Sequence, residues 1–423
     1  MSLEIAPDAD GRLVCPFDHH SPEYAQQNRE MFKDLRDAGP VVWSEAYGGF
    51  WVATDYVHIR EVLNDSETFT VETIDGAREG GTLLPAPRGA AFLKPDTTLF
   101  NFFDGERHDR VRAALNPHFS RRRVAQLAPL IEATVSRVLD RVVEQREFDI
   151  VYDLAAPITA GIVNEHMGFG LEDPAPFFRA VFSLKRAEEV ADPASKDPVV
   201  TTYKEGWAYL GEVARARREE PRDDVISALV QADDGAFTDE DIQGMCMNVI
   251  FGAADTTAAF TAHSLTFLAE RPDLQAELRA DPKKIPAFIR EGLRYFNVAM
   301  GVARTATRDV ELGGMQIRRG DRVFALQPSG NLDPALYEEP EAFDMARPAQ
   351  QHLGFGGGIH SCLGASLAQA IVAADIRGVL ERVEAYSIDP GKLVRNSDLS
   401  FISLFEEAPM RVDVVADRQA TVP

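Results

Sequence analysis

Apolar positions along the chain recur mostly at helical spacing, broken by a few short β-branched runs. Residues 22 to 38 put Tyr24, Met31, Phe32 and Leu35 on one side of an amphipathic helix. Val41-Val42-Trp43-Ser44 and Phe50-Trp51-Val52-Ala53 follow as strands around a turn containing Gly48-Gly49, the pattern of a hairpin. Thr54-Asp55 offers a cap to a helix carrying Val57, Ile59, Val62 and Leu63. Between residues 73 and 100 the periodicity fails under repeated glycine and proline, and a loop of that length within a compact domain is commonly functional. Residues 119 to 219 are helical, with breaks near Pro157, Pro174, Pro176 and 192 to 198. Thr238-Asp239-Glu240-Asp241 resembles a capping box with Asp in place of Glu, and it opens a helix predicted to run to about residue 270. That helix spans roughly 50 Å at about 1.5 Å per residue. It is apolar on nearly all sides and so is expected to be buried. Yet Asp255-Thr256-Thr257 follows Gly252-Ala253-Ala254 at its centre, and a buried acid beside hydroxyls breaks core patterning in the way functional sites do.

Composition narrows the picture. With 423 residues, 45% hydrophobic and 26% charged, the chain can bury a large core, and with no low-complexity linker one domain over 1–423 is expected. A net charge of -23 argues against nucleic acid or an anionic membrane surface as the main partner. Cys15, Cys246 and Cys362 are too scattered for a disulfide framework, which fits a reducing cytoplasm. The first sixteen residues read as neither a signal peptide nor a membrane anchor.

The densest chemistry lies in Gly354-Phe355-Gly356-Gly357-Gly358-Ile359-His360-Ser361-Cys362-Leu363-Gly364, running directly into a helix-forming stretch. Glycines at 354, 356, 357, 358 and 364 allow positive φ and close backbone approach, so amide N–H groups can be aimed at the Cys362 sulfur. Such donors and the following helix N-terminus stabilise a thiolate. A lone cysteine is ordinarily a small core hydrophobe. A dinucleotide fingerprint fails because Ser361 stands where the third glycine belongs, and zinc fails for want of a second ligand cluster.

The five fixed positions Phe355, Gly358, His360, Cys362 and Gly364 match the Phe-x-x-Gly-x-His-x-Cys-x-Gly loop, and by them the chain resembles the cytochromes P450. Other motifs follow in the family's order. His108 and Arg112 match His-x-x-x-Arg, Gly252 to Thr257 matches the acid-threonine helix, Glu291 and Arg294 match Glu-x-x-Arg, and Arg347-Pro348 supplies the downstream arginine.

The resemblance implies a mainly α fold with a smaller β region, haem b, and Cys362 as the iron's thiolate ligand. It implies that His108, Arg112, Arg304 and His360 meet the propionates, with Phe355 and Gly364 shaping the loop. Asp255 and Thr256 become a proton relay, and Glu291, Arg294 and Arg347 a structural triad. Phe92, Leu93, Phe100, Phe182, Gly252, Val298 and Ile402 become candidate pocket residues.

The implied activity is monooxygenation: one atom of O2 enters an apolar organic substrate and the other leaves as water. Electrons would come from an iron-sulfur ferredoxin and its NAD(P)H-linked reductase, docking near Arg107, Arg110 and 121 to 123. A cytoplasmic bacterial monomer without a membrane anchor is expected. The chain departs from the family pattern at Ala253, where a glycine is usual, and at Gln369, a common basic docking position. A peroxygenase and a non-enzymatic haem sensor or carrier remain as rival readings.

Overall fold

The predicted hairpin forms the middle of a seven-stranded sheet. Val41–Ser44 pairs antiparallel with Phe50–Ala53, placing Trp43 opposite Trp51 with ring centroids 5.0 Å apart. Gly49 takes φ 98°, and a Cβ there would collide with the Trp43 ring, so the turn needs glycine. The strand order is Ala6–Pro7, Leu13–Cys15, Val41–Ser44, Phe50–Ala53, Arg322–Ala325, Val302–Ala306 and Phe69–Thr70. Arg322–Ala325 runs parallel to Phe50–Ala53 and antiparallel to Val302–Ala306, the strand that carries Arg304.

The computed structural model describes residues 4–9, 11–26, 29–75, 81–82, 84, 99–184, 197–348, 351–396 and 401–415, and of 182–184 and 233 the backbone only. Most of the described chain is helical. Asp55 caps Tyr56–Asn64 by accepting from the His58 N–H at 2.9 Å. Thr238 and Asp241 form the capping box reciprocally, at 3.1 and 3.0 Å. The segment from 22 to 38 forms two helices, Pro22–Ala25 and Arg29–Ala38, where one was expected.

The long central helix is also divided, into Asp239–Ala253 and Thr256–Ala269. Asp255 sits at φ −121°, ψ −37°, away from helical values, and the Thr256 hydroxyl donates to the Gly252 carbonyl at 2.6 Å. A side-chain donor inserted into the helical ladder is a recognised cause of such a break.

The cysteine loop leads into Ala365–Arg382, which packs on Ala128–Gln145, Thr256–Ala269 and Ile285–Tyr295. The stretch Gly358–Arg382 is long and apolar enough to cross a membrane by composition, but half of it is buried inside the molecule. Close packing explains Gly378, where a Cβ would lie 2.6 Å from a Leu139 methyl.

On Ile285–Tyr295, Arg294 holds Glu291 through two bonds of 3.0 and 2.6 Å, and Arg347 reaches the same carboxylate at 3.3 Å. Arg294 also donates to the carbonyls of Asn331, Pro340 and Ala342. The triad therefore ties this helix to the segments that enter the cysteine loop.

Asp375 is fully buried in Ala365–Arg382, and burial pushes its pKa from the ordinary 3.8 up to about 7, against the opposing bond from Thr261 at 2.8 Å. The folded state therefore binds this proton more tightly than the unfolded chain. Stability from this group is highest below pH ~4 and falls as pH rises toward ~7, a penalty on the order of a few kcal/mol. Asp375→Asn should be nearly neutral at the acid end and stabilise increasingly up to neutral pH. Denaturant titrations across that window would show a pH-independent difference if this account is wrong.

Candidate active site

The Cys362 loop is closed by its own backbone. The Cys362 N–H donates to Phe355 O at 2.9 Å, Gly356 N–H to Leu353 O at 2.9 Å, and Ser361 N–H to Gly358 O at 3.1 Å. Of the five glycines, only Gly356 (φ 68°) and Gly358 (φ 64°) use positive φ. Gly354 and Gly357 serve close approach instead: a Cβ at the first would lie 2.6 Å from Leu293 O, and at the second 2.7 Å from Asn64 Oδ1. Gly364, the N-cap of Ala365–Arg382, meets nothing among the described residues within 4 Å of an added Cβ, and the same holds for Gly252. Both border one cavity, so their missing side chains leave room for a guest and not for protein atoms.

That cavity encloses about 360 Å³. Cys362 lies on its wall, in contact with the void yet deep beneath the outer surface. Burial raises the thiol's pKa, opposed by the Gly364 N–H and by the charge of Arg112. The loop alone therefore does not make a thiolate; a coordinated metal ion would, since its charge deprotonates a ligating thiol outright.

Positive charge gathers on the same wall. Arg112, from Gly105–Phe119, and Arg304, from Val302–Ala306, both border the cavity, and burial lowers the pKa of each, Arg304 to about 10. His360 borders it too, but its Nε2 is bound to Asp104 Oδ1 at 2.5 Å, leaving Nδ1 buried without a hydrogen-bond partner among the described residues. Asp104 is held ionised: burial raises its pKa, and donors from His360, Thr70 and Val71 more than offset that. His108 stands behind His360, ring centroids 4.5 Å apart, with Nδ1 3.6 Å from Asp109 Oδ1, Nε2 buried without a hydrogen-bond partner among the described residues, and its pKa pushed down to about 4 by burial, His360 and Arg112. It does not itself border the cavity.

Thr256 borders the cavity, whereas the adjacent Asp255 is buried outside its wall. Among the candidate pocket residues, Phe100, Gly252, Val298 and Ile402 line it, together with Phe355. Phe92 and Leu93 lie outside the described residues, as does the side chain of Phe182, whose backbone is in Ala175–Leu184. Gln369, expected on a docking face, is half-buried beside the cavity with its amide donating to Ala365 O at 3.0 Å. Sequence reading missed Asp104, Thr159 and Asn248; the first lies 256 residues from its partner, and the other two sit in helical core patterns like any others.

Residues 208–392 match the family described as Cytochrome P450. The chain is 33% identical over 338 residues to nocardicin C N-oxygenase of Nocardia uniformis subsp. tsuyamanensis, covering 78% of this chain and 81% of that one. It is 30% identical over 400 residues to 20-oxo-5-O-mycaminosyltylactone 23-monooxygenase of Streptomyces fradiae, covering 93% and 90%. The chain belongs to the cytochrome P450 family. The fold agrees with that of the P450 CYP108D1 from Novosphingobium aromaticivorans, with a TM-score of 0.82 at 26% identity over 94% of this chain and 97% of that one.

As a P450 it is a haem monooxygenase with protoporphyrin IX iron as its cofactor. The cavity fits such a group. A flat apolar ring system with carboxylates at its edge suits a space bordered by bare Gly252 and Gly364, a free thiol, two arginines and an open imidazole nitrogen.

Proposed function

We propose that Cys362 is the axial thiolate of the haem and that Arg112, Arg304 and His360 hold its carboxylates, with His108 buttressing His360. Phe355 and Gly364 shape the thiolate side. The observation that carries this reading is that Cys362 and Thr256 border one cavity. Bound haem supplies the oxygen-activating chemistry, which thiolate ligation biases toward O–O cleavage.

Thr256 and Asp255 then serve as the proton path. The Thr256 hydroxyl proton rests on Gly252 O at 2.6 Å, so donation into the cavity requires the hydroxyl to turn away from that carbonyl. Asp255 lies behind the wall, and delivery from it requires the turn at 254–255 to open. Thr256→Ala should lower product formed per NADH consumed by roughly a hundredfold, the lower end of what a positioned proton donor contributes. Coupling equal to the parent enzyme would remove Thr256 from the path.

The substrate is a largely apolar organic molecule, a reading supported by Phe100, Val298 and Ile402 on the wall. Electrons are proposed to come from a ferredoxin and its NAD(P)H-linked reductase. Within the basic segment, Arg107 pairs with Asp241 at 3.3 Å, Arg110 covers the Phe237 ring at 5.4 Å, and Arg112 faces the cavity. Arg121 and Arg122 are exposed at the start of Arg121–Gln126 and are the residues proposed to meet an acidic partner. Replacing both with Glu should raise the ferredoxin concentration needed for half-maximal rate; an unaltered dependence would contradict this surface.

A further inference from the structure

Part of the cavity wall is built from two short stretches of chain. Val298, Ala299 and Gly301 come from one, Phe401 and Ile402 from the other. Ala299 faces Ile402 in an antiparallel bridge, the Met300 N–H donates to Phe401 O at 3.0 Å, and the Ser403 N–H donates to Val298 O at 2.8 Å. Two strands joined by so few bonds are marginal on their own. Their position is therefore set from behind.

Two buried side chains stand there, and neither borders the cavity. Tyr24, on Pro22–Ala25, packs against Phe32 and Phe324, and its hydroxyl donates to Met300 O at 2.6 Å. Met300 is thus held through its N–H by Phe401 and through its carbonyl by a residue 276 positions earlier. His263, on Thr256–Ala269, has its Nε2 3.1 Å from Ser403 O and 3.2 Å from Ser403 Oγ. A carbonyl only accepts, so Nε2 carries the ring proton. Burial and the charge of Arg395 push the ring's pKa down to about 3, against the bond to Ser403, so the ring is neutral and holds that one proton. Phe296 stacks on it at 14° between planes and the Phe405 ring centroid lies 4.7 Å away, which fixes its orientation.

The two anchors differ in what they tie together. Tyr24 ties the wall to the N-terminal segment and its aromatic cluster. His263 ties it to the helix that begins with Thr256, two turns earlier, so the wall and the proposed proton donor share one support.

We propose that Tyr24 and His263 are positioning residues for selectivity, holding the stretches at 298–301 and 401–403 so that a bulky guest is placed against the haem iron and Thr256. Neither touches the guest; each acts through a main-chain carbonyl whose neighbours line the cavity. A displacement of about 1 Å from a change far from the reacting atoms can cost about a hundredfold in rate, so such anchors govern guests that reach the wall and leave small ones alone. The inference rests on the haem-thiolate reading above and says how that site chooses among guests.

The test titrates the ferric holoenzyme with imidazole, 4-phenylimidazole and 4-(4-biphenylyl)imidazole, each followed by the absorbance shift of iron ligation. Imidazole reaches the iron without filling the cavity, whereas the aryl groups extend toward the wall. A loosened wall must be ordered again on binding, so affinity falls with the area a probe lays against it. Tyr24→Phe and His263→Leu should each weaken both aryl probes roughly three- to tenfold, about the worth of one hydrogen bond, and change imidazole by less than about twofold. His263→Gln, which keeps an N–H near the Nε2 position, should recover the aryl affinities. Lost stability alone would not give this pattern, because it leaves the affinities of the folded protein unchanged. Equal changes for all three probes, or none, overturn the proposal, as does His263→Gln behaving like His263→Leu. If imidazole gives no shift in the parent protein, the haem-thiolate reading fails and this inference falls with it.

Discussion

Cys362→Ser is expected to abolish the strongly red-shifted Soret band of the reduced, carbon monoxide-bound protein and to reduce monooxygenation to background. The backbone frame of the loop does not depend on the side chain: the bonds from Cys362 N–H to Phe355 O, Gly356 N–H to Leu353 O and Ser361 N–H to Gly358 O are all main-chain. Arg112 and Arg304 also remain, so the pocket still attracts an anionic ring. What is lost is the sulfur's electron donation, which a hydroxyl does not match. The absorption spectrum of purified variant and parent decides the matter. A variant that keeps both the red-shifted band and turnover would exclude Cys362 as the ligand and leave the buried wall thiol without a role.

Arg294→Ala is expected to be the most destabilising single change outside the cavity, at about 3–5 kcal/mol, the usual cost of stripping one partner from a buried ion pair. Its guanidinium makes five bonds, two to Glu291 and three to main-chain carbonyls, and both side chains are almost fully buried. Arg347→Ala should cost less, because its contact with Glu291 is a longer 3.3 Å and the side chain is more exposed. Chemical denaturation of the holoenzyme measures both. The triad also positions the cysteine loop, because Gly354 packs against Leu293 O on the same helix. Haem retention should therefore fall with stability in Arg294→Ala. A loss below ~1 kcal/mol would mean that the carbonyl contacts, Glu291 and the loop do not depend on the arginine.

Features written into neighbouring residues were legible in the sequence. The hairpin at 41 to 53, the Asp55 cap and the Thr238–Asp241 box each depend on a few adjacent side chains, and each forms as expected. The cysteine loop was legible for the same reason. The family resemblance pointed to Arg112, Arg304, His360 and Cys362, which border one cavity, but not to the partner of His360, because Asp104 reaches it only through the folded chain. The helix break at 254–255 escaped because its cause, a hydroxyl turned onto a carbonyl one turn back, leaves the apolar pattern unchanged. Gly354 and Gly357 read as allowing positive φ and close approach around Cys362, whereas neither takes positive φ and the close approach is to Leu293 and Asn64, elements far away in sequence. Asn248 and Thr159 carried no local signal, since only the packing of two helices brings them to the cavity.

Bare glycines, open imidazole nitrogens and a desolvated thiol around one space also bear on how much of this protein a cell can accumulate. A group that binds only the folded chain stabilises it by mass action, about 2.7 kcal/mol when its free concentration is a hundred times its dissociation constant. The cavity makes haem such a group, because its walls exist only once the cysteine loop and the Gly252 helix have come together. Iron or porphyrin scarcity would then thin the population of the polypeptide as well as silence it, with the unoccupied chain lost to proteolysis at a rate set by the cofactor supply.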